Sequence, residues 1–89
     1  MDSLAERFGR NLRRARRRAG LSQGELGRLT ELHRGDIGKL ENGQRLPRLD
    51  TILKLSAGVG TSPCVLLAGL RWRAGYYVEG GFYLQDGAP

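Results

Sequence analysis

Two stretches of the same form, "SLAE" at residues 3–6 and "SQGE" at 22–25, divide the front of this chain into short helices. In a capping box the serine hydroxyl takes the amide three residues on, and the glutamate reaches back to the serine amide. Ser3 and Ser22 therefore each open a helix, only nineteen residues apart. Between them Leu4, Phe8, Leu12, Ala15 and Ala19 fall at steps of four, four, three and four, a single helical stripe that Gly20 ends. After Ser22 come Leu26 and Leu29, enough for about two turns. A third helix is expected from Arg34, with Ile37 and Leu40 inward and Gly43 as its stop. A fourth carries Leu49, Ile52, Leu53 and Leu55. A fifth opens with Ser62 as cap and Pro63 at the first helical position, where proline is tolerated.

The charge is as uneven as the periodicity is regular. The chain of 89 residues has a formal charge of +6. Seven arginines stand in the first twenty residues (Arg7, Arg10, Arg13, Arg14, Arg16, Arg17 and Arg18) against Asp2 and Glu6. From Tyr76 onward there are two acids, Glu79 and Asp86, and no base. A basic front makes a polyanion the partner to test. The single cysteine, Cys64, forms no internal disulfide framework and fits a cytoplasmic protein. No apolar run approaches the roughly 18 residues that span a bilayer, so no membrane partner is expected. One histidine, one cysteine and no carboxylate pair on a shared face assemble no catalytic or metal site, and no cofactor is expected.

Character changes near residue 70. Five of the six aromatics lie between Trp72 and Tyr83, in two β-prone runs separated by Gly80-Gly81. A two-residue turn there would set Glu79 opposite Phe82, Val78 opposite Tyr83 and Tyr77 opposite Leu84. An isolated hairpin is marginal in water, so this one should pack on the helices, on a second copy, or on both. Residues 1–69 thus read as a helical domain and 70–89 as an aromatic β-type extension. Trp72, Tyr76, Tyr77, Val78, Phe82, Tyr83 and Leu84 are its dimerisation or packing residues.

Two short helices joined by "TELH", the second polar and basic, form a helix-turn-helix pattern. The stretch "LSQGELGRLTELHRGDIGKLENGQRLPRLDTILKLSAGVGTSPCVLL" resembles the DNA-binding domain of the Cro- and lambda-repressor-like (xenobiotic-response-element type) regulators. The likeness runs from about Phe8 to Leu67. It rests on Leu-Ser-Gln opening the second helix, Ile-x-x-Leu-Glu-x-Gly closing the third, and Leu-x-x-Leu ahead of Val-Gly-x-Ser-Pro. It implies a mainly α fold of five helices whose third helix lies in the DNA major groove. Position by position it also implies that Arg34, Gly35 and Lys39 read bases, with His33 just ahead of them. Gln23 would clamp a phosphate, and Arg16 would pair with Glu41 close to the backbone. Arg45, Arg48 and Asn42, after the reading helix, complete the phosphate candidates.

The helical wheel points the same way. At 100° per residue Ile37, Leu40 and Glu41 share one side, and Gly35 and Lys39 lie opposite. A bare Gly35 would let the helix sit closer to the groove, and Gly38 implies close approach of a neighbour. Asp36 is expected to bond the free amides at the helix start. Gly27 stands where the family usually has alanine. With Gly24, Gly35 and Gly38 it softens the reading head by up to about 4 kcal/mol on propensity alone.

The function expected is therefore a sequence-specific double-stranded DNA-binding transcriptional regulator, a homodimer reading an inverted repeat. The alternative is an antitoxin-like DNA-binding protein whose tail covers a second protein. RNA binding through the basic front and aromatic tail is a third reading.

Overall fold

A computed structural model describes residues 3–75 and 79–86. Five helices come first: α1 Leu4–Arg18, α2 Gln23–Thr30, α3 Arg34–Glu41, α4 Leu49–Gly58 and α5 Pro63–Leu66. A two-stranded antiparallel sheet follows, of β1 Leu70–Arg73 and β2 Gly81–Leu84. Both capping boxes form, with Ser3 accepting from the Glu6 amide and Ser22 from the Glu25 amide. At Glu25 the backbone and hydroxyl donors of Ser22 hold the carboxyl below its usual range. Ser62 caps α5, with Pro63 at its first position.

Phe8, Leu12 and Ala15 of α1 meet Leu26, Ile37, Leu40, Leu55 and Leu66 in one core, with one or more residues from every helix. Full burial of each large side chain stabilises the fold by about 1.5–3 kcal/mol. Not every apolar residue of the helical pattern goes inward. Ala19 is exposed, as are Leu29 at 62%, Leu49 at 73% and Leu53 at 52%. In α4 the inward positions are Leu55 and, in part, Ile52.

Among the helical glycines, backbones approach most closely at Gly9 and Gly27. A Cβ on Gly9 would stand 2.5 Å from the carbonyl oxygens of Leu40 and Glu41, so α1 lies directly on the end of α3. A Cβ on Gly27 would stand 2.6 Å from the Leu32 carbonyl oxygen. Alanine would therefore be strained at Gly27, whose small size is a requirement of the α2–α3 turn.

The hairpin forms within one chain, but not in the register expected from Gly80-Gly81. Leu70 pairs with Leu84, Arg71 with Tyr83, Trp72 with Phe82 and Arg73 with Gly81. The expected partners Tyr77 and Val78, like Tyr76, lie outside the described residues. Packing explains the register. Leu70 docks on the helical core, which fixes where β1 begins. Gly80 then lies against Trp72, with room for no side chain: a Cβ there would stand 2.5 Å from the Trp72 ring. The base of the hairpin is tied to α1. Buried Asn11 donates to the carbonyls of Leu66 (3.0 Å) and Ala68 (2.9 Å), and Arg7 pairs with Asp86.

Candidate nucleic-acid interface

The geometry of α3 follows from one buried carboxylate. Glu41, in the last turn of α3, has a fully buried side chain. It accepts from Arg16 Nε at 2.5 Å and Nη2 at 3.0 Å, from Gln23 Nε2 at 3.1 Å and from Arg13 Nε at 3.3 Å. Arg13 and Arg16 belong to α1 and Gln23 to α2, so one side chain locks three helices together. Burial pushes the Glu41 carboxyl up, but hydrogen bonds from Arg16 and Gln23 and the charge of Arg16 hold it below the usual carboxylate range. The same bond raises Arg16. A second bond, from Arg16 Nη1 to the Leu21 carbonyl at 2.9 Å, fixes the guanidinium beside the start of α2. The pairing of Arg16 with Glu41 implied by the resemblance is thus present in the structure. Arg13 was not singled out for it. Its signal in the sequence is its place one turn before Arg16 on the same side of α1.

With Ile37, Leu40 and Glu41 buried, the opposite side of α3 faces outward. Arg34, Gly35 and Lys39 are all exposed. His33 is the N-cap, and its Nδ1 accepts from the Gly35 amide at 3.2 Å. Asp36, expected to bond the free amides at the helix start, instead faces Arg45 at 3.2 Å. The imidazole occupies the cap position itself, ahead of the first turn, while Asp36 lies within that turn and is directed toward the loop after α3. The two added glycines of α3 differ as well. A Cβ on Gly35 would meet only the tip of His33, at 3.4 Å, so nothing in the fold itself demands a glycine there. A Cβ on Gly38 would sit 3.7 Å from the Gln23 side chain, ordinary contact, so the close approach expected at Gly38 is not found.

The remaining candidates surround this face. Arg16, Ser22, Gln23, Gly24, Arg28 and Arg34 line an open hollow at the start of α2. The first amides of α2 have no carbonyl partner within the helix, and the helix dipole adds positive potential there. Such a hollow suits a phosphate oxygen. Asn42 accepts from Arg13 at 2.9 Å, so it extends the Glu41 cluster to the surface. Arg45 pairs with Asp36, and Arg48 lies 3.6 Å from Asp50 at an exposed site. The aromatic candidates are remote from α3 along the chain. Trp72 and Phe82 form an edge-on pair with centroids 4.8 Å apart, and Arg73 lies over Tyr83 at 5.1 Å. Leu84 is half-buried. Among the described residues no group of three or more His, Cys, Asp and Glu side chains is placed to hold a metal ion, and no helix is long and apolar enough to cross a membrane.

Two short helices joined by a tight turn, pinned by a buried Arg–Glu pair and presenting a bare helix side, define a helix-turn-helix protein. A helix-turn-helix domain family matches residues 7–75. The chain belongs to the Cro- and lambda-repressor-like helix-turn-helix family. Among solved structures it is similar to the restriction-modification controller protein C.AhdI from Aeromonas hydrophila, at 40% identity and a TM-score of 0.68. That match covers 70% of this chain and 94% of that one. It is also similar to the hypothetical transcription factor NHTF from Neisseria, at 31% identity over 73% of this chain and 75% of the other, with a TM-score of 0.69. The P22 c2 repressor, solved in complex with a synthetic operator, matches at 27% identity over 67% of this chain and 91% of its own, with a TM-score of 0.63. No curated protein matches significantly. The family and these neighbours are regulators of transcription, not enzymes.

Proposed function

We propose that this chain is a sequence-specific regulator of transcription, acting in the cytoplasm as a homodimer that reads an inverted repeat in double-stranded DNA. The carrying observation is the outward side of α3, where exposed Arg34 and Lys39 flank a Gly35 that no neighbour requires to be bare. A fold that tolerates a side chain at this position, yet has none, gains depth of entry into a groove. Arg34 then reaches base edges, where a bidentate guanine contact discriminates by about 1–3 kcal/mol. Lys39 reads further along the helix and His33 fixes its start. Gln23 and Arg16 hold a phosphate over the free amides of α2, while Arg45, Arg48 and Asn42 hold the backbone beyond α3. Residues 1–69 serve as the reading head and 70–89 as the dimerising appendage, through Trp72 and Phe82 with Tyr83 and Leu84. The complex of the P22 c2 repressor with operator DNA supports this docking.

One head contacts few base pairs, so two heads about a two-fold axis roughly square the specificity. Selection of bound duplexes from a random pool should return an inverted repeat, and Arg34→Ala should relax one base per half-site. With about eight phosphates neutralised per dimer, log affinity should fall with log salt at a slope near −7. A slope near zero, or equal binding to single-stranded RNA, would overturn the proposal. The antitoxin-like alternative assigns Trp72 and Phe82 to a second protein; a stoichiometric copurifying partner in place of a self-dimer would establish it.

A further inference from the structure

Two surfaces that DNA recognition leaves unused complement each other. The first is a cleft between the second half of α1 and α5. Ala15, Ala19, Val59 and Val65 wall it, Arg14 and Arg18 stand at its rim, and its volume is ≈ 510 Å³, open to solvent. Both arginines are exposed, one helical turn apart, and the ion pairs of the described residues include neither. Like charges at that spacing weaken a helix, so the pair is a strain on α1 that no ion pair among the described residues compensates. The second surface is on the hairpin. Strand alternation puts Leu70, Trp72, Phe82 and Leu84 on one face. Leu70 covers the core, but Trp72 is 56% and Phe82 66% exposed, with exposed Glu79 at the end of the loop beside them.

We infer that a second copy of this chain fills the cleft. Trp72 and Phe82 of one protomer seat against Ala15, Ala19 and Val65 of its partner, while Glu79 faces Arg14 and Arg18. The contact repeats in reverse about a two-fold axis, so each protomer is both guest and host. The open parts of the four rings and the walls they cover amount to about 1,000 Å², the least that a specific interface needs. Neither surface includes a residue of α3, so both reading sides stay open. This inference rests on the homodimer reading and adds its surfaces: a cleft, two arginines and a glutamate not previously placed in it.

Sedimentation equilibrium of the full chain tests it by charge exchange. Arg14→Glu with Arg18→Glu, and separately Glu79→Arg, should each weaken self-association at least tenfold. Mixed together, the two variants should form a heterodimer of near wild-type affinity, because both contacts are again between opposite charges. Arg17→Glu, on the neighbouring outward position, should leave association unchanged, and circular dichroism checks that α1 stays folded in each case. A wild-type chain that is monomeric at tens of micromolar would sink the homodimer reading and this inference with it. A wild-type dimer indifferent to both reversals, or reversals that mixing does not restore, would overturn this inference alone.

Discussion

The reading head and the C-terminal hairpin are held by opposite means. In the head, α1, α2 and α3 meet around the Glu41 carboxylate, and glycines let backbones touch at Gly9 and Gly27. A charge removed from water has to be met by several donors in defined directions, so it specifies one geometry. The hairpin has no such centre. Among the described residues it is tied at its base, through Leu70, Asn11 and the Arg7–Asp86 pair, and its aromatic pair is exposed. An apolar contact tolerates many geometries, which suits a surface completed by association. Directional bonds hold the helical head in one shape, and non-directional ones leave the aromatic pair exposed, as the proposed self-association requires.

The largest test of that contrast removes the carboxylate. Glu41→Gln leaves Arg16 and Arg13 facing a neutral amide and should cost about 3–5 kcal/mol of stability at pH 7, measured by urea unfolding. Because the folded-state carboxyl is held low, its contribution is present above the ordinary glutamate range near pH 4.3 and is lost as pH falls through the lower folded value. The gap between wild type and variant should therefore narrow on going to pH 3; an equal gap at both pH values would refute the electrostatic account. Next in size, Gly9→Ala forces a methyl group against two backbone carbonyls and should cost about 1–3 kcal/mol. If it proves neutral, the α1–α3 contact is looser than described.

In the hairpin, Trp72→Ala should change monomer stability by only about 1 kcal/mol, the worth of one edge-on aromatic pair, while weakening self-association. A cooperative loss of the whole fold would erase the distinction between the regions. The smallest effect is Gly35→Ala. It should raise helix stability by roughly 0.5–1 kcal/mol on propensity and yet weaken operator binding. A stabilised variant with unaltered binding would remove the reason given for the bare face.

Much of this arrangement was legible along the chain, for local reasons. Capping boxes, the proline at the first position of α5 and the glycine stops concern atoms within four residues of one another. The inward side of α3 followed from the 3.6-residue period. The outward placement of Arg34, Gly35 and Lys39 was legible because it depends on the same period. It was less so where partners come from elsewhere: Arg13 joining Glu41, Asp36 facing Arg45, and the room beside Gly38 are contacts between elements.

What residue order alone established was the number of helices, their ends, the inward side of α3 and of most of α1, and the basic character of the front. Each is a matter of backbone hydrogen bonds and periodicity within one segment. The hairpin register, the need for glycine at positions 9 and 27, the exposure of Leu49 and Leu53, and the joining of three helices at one carboxylate were set by packing. Such contacts depend on how far apart two segments lie in space, a distance that no spacing along the chain encodes.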